Sequence, residues 1–166
     1  MNPETMLNEL YERYVERYSE KKALPTRNDE DIWKVFKIQL EEKQVAKYLK
    51  PHVIVASDYE FEFGHSWRNH FWHVIEPLSF DLDSADSIKE KAARWLGRAV
   101  ALQSSNEDFK MYMLLGKPSR EDLLQSYTKA ENLLNRIPVT KEFVREGEAE
   151  EFAVELQNEI ERHADL

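Results

Sequence analysis

Aromatic and acidic residues alternate between positions 58 and 67, and this pattern restricts the fold more than any other stretch of the chain. The odd positions from Tyr59 to Trp67 carry Tyr, Phe, Phe, His and Trp, while Asp58, Glu60 and Glu62 take the other parity. A period of two residues indicates a β-strand with one buried face. A second run with strand character, 71–80, follows after a few residues, so the two runs predict a β-hairpin.

The turn of this hairpin decides which residues face each other. We expect a two-residue turn at Asn69-His70, since asparagine tolerates the positive φ that such turns need. This register pairs Trp67 with Trp72 and places His65 diagonally beside Glu76 on one face. Glu76 is then the single acid in an apolar row, and the row contains Trp72, Val74, Leu78 and Phe80.

A buried carboxylate beside a histidine has the parts of a general acid–base pair, so Glu76 and His65 are the candidate catalytic residues. Such a carboxylate is more often structural, held by a donor in the core. Pro77 cannot donate to a sheet ladder, which predicts that the second strand of the hairpin is an edge strand or bulged. An open sheet edge would be a docking site for another chain.

The rest of the chain alternates between helical and strand patterns. We expect helices at about 3–21, from Asn28 to 42 or 49, and at about 84–102, 119–137 and 148–163, with strands at 109–115 and 139–145. This order predicts an α+β fold, with two helices before a mixed four-stranded sheet made of the hairpin and two crossover strands. Right-handed crossovers place the helices mainly on one face. We expect one domain, 1–166, with a helical part at 1–50 and a sheet-containing core at 51–166.

Composition excludes several kinds of site. The chain has no cysteine, which excludes disulfides, thiolate metal sites and a cysteine nucleophile. Its four glycines are far apart, so a phosphate-binding glycine loop and a Gly-x-Ser-x-Gly elbow are both missing. No signal peptide pattern and no long apolar run is visible, so we expect a cytoplasmic protein without membrane contact. No cofactor is expected.

The acids of the first hairpin strand invite a metal interpretation, because Mg²⁺ and Mn²⁺ prefer oxygen ligands. Asp58, Glu60 and Glu62 share one strand face, which is also the pattern of a solvent-facing surface. Their spacing matches no metal-binding motif, and His65, His70 and His73 do not converge in the expected register. We therefore predict no metal site.

Negative charge is concentrated at the end of the chain. The net charge is −9, and residues 146–166 contain eight acids against Arg162 alone. On the last helix, Glu151, Glu155 and Glu159 recur every four residues, a spacing at which like charges mildly destabilise a helix. Nearby bases must relieve this repulsion, or the acids bind a basic partner.

A basic stripe lies on the helix at 84–102, where Lys91, Arg94 and Arg98 share one side. It can match the acidic helix within the molecule, or contact phosphate or an acidic partner. Nucleic-acid binding is the weaker use, because the overall negative charge opposes it.

These observations favour a small acidic protein that works by binding a protein partner, as an adaptor, an inhibitor or a complex subunit. The expected contact residues are the acids Glu151, Glu155 and Glu159 and the basic stripe. The alternative is a small hydrolase or metal-dependent nuclease that uses Glu76 with His65, or Asp58, Glu60 and Glu62. A third interpretation is nucleic-acid binding through Lys91, Arg94 and Arg98.

Overall fold

The computed structural model describes residues 26–164, which form four helices and five strands within that range. The helices are α1 (Asp29–Glu42), α2 (Ala85–Leu102), α3 (Leu124–Leu134) and α4 (Ala149–Ala164). The strands are β1 (Lys50–Val55), β2 (Glu60–Arg68), β3 (Trp72–Ser79), β4 (Phe109–Gly116) and β5 (Lys141–Arg145). The helix expected at 3–21 lies outside the described residues. None of the described helices is both long and apolar enough to cross a lipid bilayer.

All five strands form one mixed sheet in the order β1-β2-β3-β4-β5. The pairs β1–β2 and β2–β3 are antiparallel, while β3–β4 and β4–β5 are parallel and joined by α2 and α3. The predicted α+β class with a mixed sheet is confirmed, but the predicted count of four strands is wrong. The sequence pattern predicts a single strand over 53–67, but β1 and β2 divide this stretch, and a turn closed by the Ala56 N–H donating to the Tyr59 carbonyl at 2.8 Å joins them.

Helices cover both faces of the sheet, which corrects the expectation that they lie mainly on one. The crossover face of the sheet packs against α2 and α3, with Val74 and Leu78 of β3 in that core. The α4 face packs against α1 and α4, with Ile75 of the same strand in a second core. A strand beside a parallel neighbour is commonly buried on both faces, and β3 behaves in this way.

The hairpin between β2 and β3 has a three-residue loop rather than the expected two-residue turn. The Asn69 side-chain Oδ1 accepts a hydrogen bond from the Phe71 N–H at 3.1 Å, which holds the loop closed. Trp67 therefore pairs with His73, and His65 pairs with Ile75. The predicted Trp67–Trp72 pair is wrong by one residue, which moves Trp67 to the other face of the sheet.

A register shift inside β2 explains why its aromatic residues do not share one face. Lys50 of β1 pairs with Ser66, but His52 pairs with Phe63, so two steps of β1 oppose three steps of β2. The extra residue is a β-bulge, which reverses the parity of the strand. Phe63 consequently packs on the crossover face, and Trp67 packs on the α4 face.

Pro77 lies in the part of β3 that is not paired with β2. β3 lies in the centre of the sheet, so the edge-strand alternative is wrong, and with it the open docking edge expected at this strand. Its pairing with β2 ends at Ile75, and Pro77 lies beyond the last paired residue, where no ladder bond to β2 is required. The outer strands of the described sheet are β1 and β5.

Candidate functional site

The two candidate catalytic residues, Glu76 and His65, lie on opposite faces of the sheet. His65 pairs with Ile75 and stacks on Trp33 of α1, with ring centroids 3.8 Å apart on the α4 face. Glu76 follows Ile75 in β3 and so points to the crossover face. The expected diagonal contact depended on the two-residue turn, and the three-residue loop removes it. These residues do not form an acid–base pair.

Glu76 lies beneath α2, near the basic side chains Lys91 and Arg98. Burial above all, together with the charge of Asp29, raises the pKa of Glu76 to about 8, while Arg98 and Lys91 oppose the rise. These neighbours act through their charges, with no hydrogen bond to the carboxyl from the described residues. Glu76 is therefore protonated at neutral pH, without the donor in the core that the sequence led us to expect.

The acids Asp58, Glu60 and Glu62 are all exposed, at the start of β2 and just before it. Among residues 26–164, no group of three or more histidine, aspartate or glutamate side chains is arranged to hold a metal ion. Their exposure is that of a solvent-facing surface.

The basic stripe of α2 is mostly engaged within the molecule. Lys91 Nζ donates to Asp29 Oδ1 at 2.7 Å and to the Ser79 carbonyl at 2.6 Å. Arg98 Nε donates to the Tyr59 hydroxyl at 2.9 Å, and its guanidinium lies 4.7 Å from the Phe61 ring centroid. Arg94 is the exposed member of the three. Because α2 and α4 lie on opposite sides of the sheet, the stripe does not neutralise the acidic helix.

The acidic side of α4 faces solvent. Phe152, Ala153, Leu156 and Ile160 bury the other side of this helix against α1 and the sheet. Glu151 and Glu155 are exposed, and neither forms an ion pair with the described residues. Glu159 is half-buried, and its ion-pair partner is Arg162 of the same helix, at 3.4 Å between Nη1 and Oε2.

A cleft of about 210 Å³ opens between α4 and strands β4 and β5. Its walls combine aromatic and acidic side chains with two cations. The aromatic group is Trp67, Tyr112 and Phe152, the acids are Glu142, Glu155 and Glu159, and the cations are Lys110 and Arg162. Two of the predicted partner-binding residues, Glu155 and Glu159, therefore also line a cavity.

A chain of hydrogen bonds supports the back wall of this cleft. His73 Nδ1 lies 2.9 Å from the Tyr112 hydroxyl, and His73 Nε2 lies 3.1 Å from Asn69 Oδ1. Burial lowers the pKa of His73 to about 4, so the ring is neutral at physiological pH. Since Asn69 Oδ1 is an acceptor, His73 donates through Nε2, and its Nδ1 accepts from Tyr112. His73 also stacks on Trp67 with ring centroids 4.2 Å apart, which fixes both aromatic walls.

Two further contacts define the polarity of the cleft. Lys110 Nζ donates to Glu142 Oε1 at 2.9 Å and lies 4.7 Å from the Tyr112 ring centroid, so this cation is held in place. Trp67 is 5% exposed, and its Nε1 is the only buried side-chain nitrogen or oxygen in the described part of the chain without a hydrogen-bond partner. Sequence reasoning missed Trp67, Tyr112 and Lys110 as site residues, because nothing in the sequence places them beside the last helix.

Comparisons with protein-family models, with curated proteins and with solved structures find no match to this chain. The candidate site is therefore interpreted from its own geometry. An exposed acidic helix side borders a cleft with aromatic walls, and both features bear on the kind of group that can bind there.

Proposed function

We propose that this protein binds a partner protein through a basic segment of the partner, which lies along the exposed acidic side of α4. One observation carries the proposal. The side chains of Glu151 and Glu155 face solvent without an ion-pair partner among the described residues, and the basic stripe that could neutralise them is engaged on the other side of the sheet.

The position of the acids along α4 supports a role beyond helix stability. An acid in the first turn, such as Glu151, is stabilised by the positive end of the helix dipole. Glu155 and Glu159 lie further along, where the dipole gives no such benefit and where acids four residues apart repel each other. A basic segment would remove this repulsion and would be attracted before contact by the field of the acidic helix.

The competing interpretations have less support. The enzyme hypothesis, a small hydrolase or metal-dependent nuclease, needed either Glu76 beside His65 or ligands at Asp58, Glu60 and Glu62. The sheet separates Glu76 from His65. The three acids are exposed, and no metal-holding group is found among the described residues. Nucleic-acid binding through the stripe of α2 would depend on Arg94, the exposed residue of the three, because Lys91 and Arg98 are engaged within the molecule.

The experiment measures binding of a fluorescent octapeptide of alternating lysine and arginine to the full chain. The double substitution Glu151→Lys and Glu155→Lys is expected to weaken binding at least tenfold, which corresponds to about 1.4 kcal/mol. The melting temperature should change little, because exposed charges contribute little to stability. Raising the salt concentration from about 50 mM to about 300 mM should also weaken binding, since exposed charges are screened.

A matched control separates the surface of α4 from net charge. Asp86 and Glu90 are exposed acids with the same four-residue spacing at the start of α2, on the other side of the sheet. Replacing both of them by lysine changes the net charge by the same amount as the double substitution in α4. This control should leave most of the octapeptide binding intact. Equal losses in the two double variants, or binding that ignores salt, would contradict the proposal.

A further inference from the structure

The cleft beside α4 has the size of one large side chain. Its volume of about 210 Å³ exceeds that of the roughly 150 Å³ cavity known to hold a benzene ring. Glu155 and Glu159 stand one helical turn apart and belong both to the acidic side of α4 and to the rim of the cleft. A segment lying along α4 therefore passes directly over the opening.

The walls of the cleft suit a planar cation. Trp67, Tyr112 and Phe152 line it with aromatic side chains, and Lys110 already lies 4.7 Å from the Tyr112 ring centroid, as expected where a cation meets an aromatic ring. The two carboxylates at the rim can accept the paired N–H groups of a guanidinium. Arginine satisfies both requirements better than lysine, because its charged group is flat, stacks on rings and binds carboxylates with two hydrogen bonds.

Trp67 adds an observation that is independent of the acids. Its buried indole Nε1–H has no acceptor among the described residues, although the ring lines the cleft. Polar groups buried in this way are usually hydrogen-bonded. The ring and not this atom faces the cleft opening to an entering group, since Nε1 has almost no accessible surface, so the indole N–H signal reports on changes in the surroundings of the ring.

Arg162 is the internal cation that an incoming arginine would replace. Its side chain is 64% exposed, and its bond to Glu159 is long, at 3.4 Å. Lys110 is held more firmly, at 2.9 Å from Glu142 with a side chain 25% exposed. The weakly held Arg162 can therefore leave the rim while Lys110 remains part of the wall.

We infer that this cleft is the anchor pocket for one arginine side chain of the partner's basic segment, and that Arg162 competes for the same carboxylate until the partner binds. This inference rests on the proposed function, since it specifies how the basic segment is held. In this pocket, Trp67, Tyr112 and Phe152 form the walls, and Glu155 and Glu159 are the carboxylates that bind the guanidinium.

The test uses the indole N–H signals of the tryptophans in a ¹⁵N-labelled full chain, titrated with N-acetyl-arginine amide. The Trp67 signal, identified by its loss in Trp67→Phe, is expected to shift during the titration. The Trp95 signal should stay in place, because that side chain is buried on the crossover face. N-acetyl-glutamine amide, which lacks the cation, should shift neither signal.

Two matched substitutions test the competition by Arg162. Arg162→Gln should bind N-acetyl-arginine amide at least threefold more tightly, because Glu159 is then free. Arg145→Gln removes the same charge from an exposed arginine that pairs with Glu131 outside the cleft, and should leave the affinity unchanged. Equal effects of the two substitutions would overturn the competition.

The outcomes distinguish the pocket from the proposed function. An unmoved Trp67 signal, with α4-dependent binding of the basic octapeptide intact, overturns the anchor pocket alone. A Trp67 signal that responds to N-acetyl-arginine amide, with no α4-dependent binding of the octapeptide, overturns the proposed function while the cleft still binds arginine.

Discussion

Truncation of Trp67 to alanine is expected to reduce the free energy of unfolding by about 3–5 kcal/mol, the range for large aromatic side chains in a core. Trp67 is 5% exposed and packs in the core that α1 and α4 form on their side of the sheet. Its removal would also take away the ring that stacks on His73, the residue behind the cleft. Urea unfolding monitored by circular dichroism measures the loss.

Trp72→Ala is the matched control for this substitution. Trp72 is partly buried at the start of β3, where it stacks on His52 with ring centroids 3.5 Å apart. Its truncation should cost clearly less than that of Trp67, because less of its surface leaves water in the folded protein. Equal costs for the two tryptophans would indicate the paired register that the two-residue turn requires, and would contradict the three-residue loop.

Replacement of Glu76 by glutamine is expected to stabilise the protein at pH 7 by about 2–3 kcal/mol. Burial raises the pKa of Glu76 to about 8, above the ordinary value of 4.5. The folded protein therefore keeps a proton that the unfolded chain releases between pH 4.5 and pH 8. Glutamine has nearly the same shape and needs no proton, so it avoids this cost.

The sign of the stability change in Glu76→Gln follows from how wild-type stability depends on pH. Wild-type stability should fall as the pH rises from 4.5 to 8, since the unfolded state loses the Glu76 proton first. The difference between Glu76→Gln and wild type should therefore be small near pH 4.5 and grow toward pH 8. Denaturant unfolding at several pH values measures it. Destabilisation by glutamine at pH 7 would mean that the carboxylate is charged and held by a donor.

Much of the fold follows from local patterns in the sequence. Asn28 forms a capping box with Asp31, and Ser84 caps α2, as amide or hydroxyl residues at helix starts predict. The parallel strands β4 and β5 match runs that the sequence marks clearly. These features depend on neighbours within a few residues, which a single sequence shows directly.

The errors in the hairpin arise from two single-residue effects. A loop of three residues instead of two changes the pairing of Trp67, and the bulge in β2 changes the face of every residue after Phe63. The loop is closed by the bond between Asn69 and Phe71, and the face of His65 is fixed by its stacking on Trp33, a residue far away in the sequence. No alternation pattern in the sequence could reveal them. The predicted acid–base pair of Glu76 and His65 depended on the register and is wrong for the same reason.

The candidate site was predictable only on its acidic side. The spacing of Glu155 and Glu159 marks an exposed helix side, and that expectation needs no knowledge of the tertiary structure. Trp67, Tyr112 and Phe152 come from three separate elements, so only the packing of α4 on the sheet brings them to one cleft.

Site-specific photocrosslinking tests the role of α4 most directly. Val154 is an exposed apolar residue between Glu151 and Glu155, and Val100 is an exposed valine of α2 on the other side of the sheet. A photoreactive phenylalanine analogue would replace one or the other in the full chain, which is then irradiated with the lysine–arginine octapeptide. We expect a peptide adduct from position 154 that high salt suppresses, and none from position 100. An adduct of equal yield from position 100, or none from position 154 while the peptide is bound, would contradict the assignment of α4 as the binding surface.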